Sequence, residues 1–240
     1  ILTMQIAPGA VLDEVALSEE FGLSRPPVRE LMRQMAGEGY IELEANRPAR
    51  VTAMNYTALR DFFLVAPMIY IATTKLAAEV ASPADVERLK AVQRRFRQAA
   101  VDRDVEGRIF SNNEFHLEIG RIARNDYLMP SLTLLLIDHG RIGRTFFRND
   151  PAAQEQLDVA ADQHDAIIAA IARHDPEEGA RLTARVCNRG TEPVGSGVSV
   201  GFYIGDPDAG GTRICMSASV GDLLPGQCES VECPWPEAPT

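Results

Sequence analysis

Arg25, Arg29 and Arg33 recur every four residues, so any helix that carries them displays all three on one face. Their guanidinium forks match phosphate oxygens and the guanine edge bidentately, and a helix fits the major groove of duplex DNA. Arg47 and Arg50 lie farther along, at the tip of an expected hairpin. A second constellation is Asn112 and His116, four apart and so on one helix face, with His164 on a later helix. Two imidazoles and an amide converging from facing helices could ligate a divalent ion such as zinc, or could be hydrogen-bonded core groups. His139 and His174 have no such partners and are expected at the surface. Cys187, Cys215, Cys228 and Cys233 form a third set, confined to the last quarter of the chain.

The elements that would position the arginines are legible. Leu12, Val15, Ala16 and Leu17 read as one apolar helix face, stopped by Phe21-Gly22-Leu23. Ser24 then stands as the N-cap of a second helix, with Pro26 and Pro27 tolerated in its first turn. Val28, Leu31, Met32 and Met35 give that helix a core face, and Gly37 and Gly39 end it. Residues 40–44 alternate as a strand, 45–49 turn, and 50–52 return. Helix, turn, helix and hairpin make a winged helix-turn-helix over residues 1–54. That surrounding architecture favours a nucleic-acid reading of the arginine stripe over a merely solvated face.

Residues 55–180 read as amphipathic helices near 56–81, 83–103, 107–123, 126–147 and 151–173, joined by short turns that imply an antiparallel bundle. Ser82, Pro83 and Asp85 form a helix start. The fold expected is thus mostly α: a winged helix-turn-helix, then an antiparallel helical bundle, then a short β-rich segment. No run of 18 apolar residues occurs, so no membrane span is expected, and no signal segment opens at Ile1. The net charge of −10 excludes a protein that coats nucleic acid through bulk charge and confines any DNA contact to the local arginines. No nucleophile–base pair stands out, so an enzyme is not expected; a metal-dependent enzyme on the bundle is the rival reading.

The string Ser24-Arg25-Pro26-Pro27-Val28-Arg29-Glu30-Leu31, with Pro8-Gly9 before it and Glu38-Gly39-Tyr40-Ile41 after it, resembles the GntR family of transcriptional regulators. Asn112-x-x-Phe115-His116 and His164-Asp165-Ala166-Ile167-Ile168 resemble the effector (FCD) domain of its FadR subfamily. The resemblance covers about residues 1–180. It implies a cytoplasmic homodimer that binds a double-stranded operator and is modulated by a small organic or sugar acid, often beside a divalent metal. By position it implies DNA contacts from Ser24, Arg25, Arg29 and Arg47, and a metal set of Asn112, His116 and His164. The sequence departs from the family pattern where Asn112 replaces the commoner Asp and where a third His is missing near Val186 or Cys187. Ala66-Pro67-Met68 stands where the family has Arg and Glu, and the family's first winged-domain helix is not present before Ile1.

Composition breaks near residue 180. The first 180 residues hold nine Gly, nine Pro and no Cys; the last 60 hold nine Gly, six Pro and all four Cys. Period-two segments at 182–187 and 198–203, separated by turns at 188–190, 205–208 and 224–227, predict strands. Residues 181–240 resemble part of a CARDB-like β-sandwich repeat of secreted proteins. The four cysteines are disulfide candidates with three pairings open. A cytoplasmic regulator joined to such a fragment also reads as two unrelated pieces in one chain, with the regulator part non-functional as the alternative.

Overall fold

The computed structural model describes residues 1–147, 149, 151–176, 181–204, 212–218 and 220–234. The expected turn at 205–208, residue 150 and the domain boundary at 180 lie outside them.

The N-terminal unit runs β1 (Val11–Leu12), α1 (Glu14–Phe21), α2 (Arg25–Gly37), β2 (Ile41–Glu42) and β3 (Ala49–Val51). The hairpin is antiparallel, with Ile41 opposite Val51 and Glu42 opposite Arg50. β1 adds to its other edge, giving the order β1-β3-β2. Leu12 is therefore a strand residue and not part of the first helix. Val15 and Ala16 are exposed, and of the expected face Leu12, from the strand, and Leu17, from the helix, pack inward. Asp13, not an apolar residue, begins α1, its Oδ1 accepting from the amides of Val15 (2.7 Å) and Ala16 (3.2 Å). Gly22 ends the helix at φ 63°, a left-handed position that a residue with a Cβ resists. Val28, Met32, Ile41 and Ala49 form the small core, whereas Leu31, also expected inside, is 48% exposed.

The bundle comprises α3 (Tyr56–Val80), α4 (Pro83–Val101), α5 (Val105–Ala123), α6 (Leu128–Phe146) and α7 (Pro151–Ala172). Each helix lies within a few residues of its expected span. Ser82 and Asp85 close a reciprocal capping box at the start of α4. α5 is the central helix, packed against α3, α4 and α6. Its Phe115, Ile119 and Ile122 meet Leu89 and Val92 of α4 and Ile168 and Ile171 of α7 in the main core. α3 is long and apolar enough by composition to cross a bilayer, although it holds no unbroken run of 18 apolar residues. Here it is a bundle helix with Ala77 and Ala78 fully buried.

The last strands are β4 (Arg181–Cys187), β5 (Gly201–Ile204), β6 (Thr212–Met216) and β7 (Cys228–Pro234). They pair antiparallel as β4–β7 and β5–β6, two ribbons over a core of Val220, Leu223 and Val231. Of the three pairings left open, the structure has Cys187–Cys228, directly opposed across β4 and β7, and Cys215–Cys233, which ties β6 to β7. With so small an apolar core, cross-links of this kind are what a segment this short needs.

Candidate functional site

Two regions gather the chemistry-bearing side chains. In the first, α1 delivers Glu14 to the exposed face of α2. Its carboxylate takes Arg25 Nε at 2.8 Å, and Arg29 through Nε at 3.0 Å and Nη2 at 2.9 Å. The bonds from Arg29 and then Arg25 hold the Glu14 carboxyl down at about 2. The linkage is present above the ordinary carboxylate range and is lost only as pH falls through about 2. Arg25 and Arg29 stay 61% and 52% exposed, so Glu14 orients both forks without covering them. Arg33, the third of the stripe, pairs with Glu30 at 3.2 Å on the same helix.

Ser24 occupies the N-cap of α2, yet its hydroxyl makes no capping bond. The reason is chemical. An N-cap oxygen accepts from the second or third amide of the helix, and here those residues are Pro26 and Pro27, which have no N–H. The hydroxyl is left at the exposed mouth of the helix beside Arg25. In the wing, Asn46 takes the left-handed turn position at φ 61°, and Arg47 pairs with Glu44 while staying largely exposed. Arg50, expected at the tip, belongs instead to β3 and donates to the Gly9 carbonyl at 3.0 Å. It ties the strand to the segment before β1.

The second region is a cavity of about 600 Å³ among α3, α5, α6 and α7. Asn112, His116 and His164 all line it, as their spacing predicts. So does His139, which corrects its expected surface position; His174 is exposed, with Nδ1 2.8 Å from the Ala78 carbonyl. The imidazole of His116 lies with ring centres 4.9 Å from His139 and 5.7 Å from His164. Gln93 donates its amide to the Ala161 carbonyl (2.7 Å), so its Oε1 accepts from His164 Nδ1 at 2.9 Å. That fixes the His164 tautomer and leaves Nε2 as an acceptor. His164 also stacks on Phe115 at 4.0 Å. His139 spends both nitrogens: Nε2 on the Asn112 amide nitrogen at 3.1 Å and Nδ1 on the Tyr70 hydroxyl at 2.7 Å.

This arrangement does not fit the expected divalent ion. The third imidazole near the expected ligands, His139, is engaged on both sides, and Asn112 turns its amide nitrogen to it. Among the described residues no group of three or more His, Cys, Asp or Glu side chains is placed to hold a metal. The two remaining imidazoles and a neutral amide bring no negative charge to a wall that is mostly apolar.

Burial keeps the imidazoles uncharged. It lowers His116 well below the ordinary histidine value, with His139 and His164 adding repulsion, and takes His139 to about 4 and His164 to about 3. The groups facing them are Tyr70 from α3, Gln93 from α4 and Asn112 from α5, with Arg97 and Asp165 acting on His164 at a distance. Because the folded-state values are depressed, stability is lost as pH falls below about 6.5, where the unfolded histidines charge, and the loss continues to about pH 3–4. Imidazole proton shifts of His116, His139 and His164 followed by NMR are expected to stay flat from pH 8 to 5.5. A midpoint near 6.5 in any of them contradicts the burial.

Residues 1–51 match the family "Bacterial regulatory proteins, gntR family", and residues 68–189 match the FCD domain. Among curated relatives, the Nta operon transcriptional regulator of Aminobacter aminovorans is 24% identical over 131 residues, 52% of this chain and 59% of that protein. The HTH-type transcriptional repressor RspR of Escherichia coli K12 is 26% identical over 118 residues, 49% of this chain and 52% of the repressor. The chain spans about half the length of the curated relatives it matches. Among solved structures, E. coli McbR/YncC superposes with a TM-score of 0.64 at 21% identity, over 75% of this chain and 84% of that one. A transcriptional regulator from Rhodococcus sp. RHA1 gives 0.58 at 15% identity, over 75% and 84%. At such identities the similarity is one of fold.

Proposed function

Since the chain belongs to the GntR family of bacterial regulatory proteins and carries an FCD domain, we propose that it binds operator DNA through α2 and the wing. A small molecule in the bundle cavity changes that affinity. The observation that carries the reading is the exposed pair Arg25 and Arg29, oriented by one carboxylate on the face of a helix that projects from a three-stranded wing. Arg25 and Arg29 read base edges or grip phosphates, Ser24 offers its uncommitted hydroxyl to a phosphate, and Arg47 reaches the minor groove from the wing tip. Arg50, bonded to the Gly9 carbonyl, acts by holding the wing and contacts the backbone at most.

The protein works as a homodimer, with recognition helices on half-sites about one turn, ~34 Å, apart. It sits in the cytoplasm, where its DNA is, and performs no catalysis. We carry this reading without a resident zinc or similar ion, because His139 is committed to Tyr70 and Asn112. The two disulfides lie wholly within the C-terminal segment, and residues 1–180, which carry the DNA-binding and cavity residues, contain no cysteine.

The Glu14 carboxylate lowers the local positive potential while it aims two forks. Glu14→Gln is therefore expected to raise affinity for arbitrary duplex several-fold at low salt and to lower the ratio of operator to random binding. Fluorescence anisotropy on the two duplexes measures both. An unchanged ratio removes Glu14 from the account.

A further inference from the structure

Resting on the cavity-ligand reading above, we infer that the ligand is a neutral molecule with an apolar body and a hydrogen-bond acceptor, such as a ketone, ester or lactone, and not a carboxylic acid. The wall is made chiefly by Phe62, Phe63, Pro67, Ile142, Phe147 and Ile167. Among the described residues lining it there is no Arg or Lys. A carboxylate entering such a wall gives up its water and finds no counter-charge, whereas a carbonyl gives up far less. The imidazoles do not supply the missing cation: both His139 nitrogens are bonded, His164 Nδ1 is held on Gln93, and among the described residues lining the cavity no carboxylate stands beside them to hold a charge.

Among the donors lining the cavity, one is aimed by its partners. The Asn112 amide nitrogen donates to His139 Nε2, so His139 carries its proton on Nδ1 and donates it to the Tyr70 oxygen. The Tyr70 hydroxyl proton is then uncommitted, on a residue that lines the cavity. It is the donor a ligand carbonyl would meet. His164 Nε2, left as an acceptor by the Gln93 bond, offers a place for a ligand hydroxyl and repels the lone pairs of a carboxylate. At about 600 Å³ the space suits a molecule of one or two rings.

The test uses three probes of one shape: methyl naphthyl ketone, naphthoate and naphthalene, each titrated calorimetrically into the full chain at neutral pH. The ketone is expected to bind at least about tenfold more tightly than naphthoate. Tyr70→Phe is expected to remove most of the ketone's advantage over naphthalene, a loss of about three- to tenfold, and to leave naphthalene binding unchanged. If Tyr70→Phe does not fold by circular dichroism, the carbonyl stretch of the ketone bound to the unaltered chain is read instead: a shift to lower wavenumber than in an apolar solvent is expected from the Tyr70 hydroxyl, and an unshifted stretch overturns the inference. Naphthoate binding as tightly as the ketone overturns the inference, and so does naphthoate binding that appears only with added zinc; both leave the cavity-ligand reading standing. A folded chain that binds none of the three overturns both.

Discussion

Replacing Arg25 and Arg29 together by alanine is expected to abolish discrimination between operator and random duplex while leaving the circular dichroism spectrum and melting temperature nearly unchanged. Each guanidinium that reads a base edge is worth about 1–3 kcal/mol, so the pair accounts for roughly 2–6 kcal/mol of specific binding. The fold does not depend on them. Both are more than half exposed, and their partner Glu14 is a surface carboxylate whose pairing adds little to stability. The single variants separate the roles. A base-reading arginine, once removed, relaxes sequence preference at one position. A phosphate-gripping one weakens all duplexes alike and reduces the salt slope by about one contact. Full operator affinity in the folded double variant would contradict the assignment.

The second large effect lies between the two halves of the molecule. Arg141 of α6 is fully buried, its side chain 1% exposed. It donates to the Thr52 carbonyl at 3.2 Å, to the Thr52 hydroxyl at 3.0 Å, and to Asp138 at 3.0 Å. Thr52 follows β3, so this guanidinium bonds the wing directly to a bundle helix, two residues from the cavity-lining His139. Arg141→Met is expected to cost about 3 kcal/mol, because it strands the Asp138 carboxyl, which burial already pushes up, and removes both bonds to the wing. Chemical denaturation measures the loss. The same variant is expected to reduce the effect of a cavity ligand on DNA binding, since a ligand changes that equilibrium only through groups that differ between the two states. Retained ligand response with Arg141 replaced would place the coupling elsewhere.

Much of this was readable from residue order. Helix boundaries in the bundle followed from Pro83, Asp104 and Pro151, whose start signals act locally and need no tertiary context. The arginine stripe followed from four-residue spacing alone. What was hidden depended on non-local partners. β1 is two residues long and exists only because β3 offers it an edge, so no period could reveal Leu12 as a strand residue. Ser24 looked like a cap because the residue type is right; that its acceptor role fails follows from Pro26 and Pro27 and was available in the sequence. The inward position of His139 is legible in residue order, because Leu132, Leu136, His139 and Gly143 recur at helical spacing, a stripe that puts the imidazole on the buried side of α6. Tyr70 and Gln93 carried no signal, since their roles come from the histidines they face across the bundle.

Repeated selection from random duplexes with the full chain, followed by sequencing of the bound fraction, asks whether α2 and the wing read a duplex sequence. The expected result is enrichment of an inverted repeat with half-sites about one helical turn apart, lost when Arg25 and Arg29 are both alanine. A bound fraction indistinguishable from the starting pool, from protein shown to be folded, would contradict it.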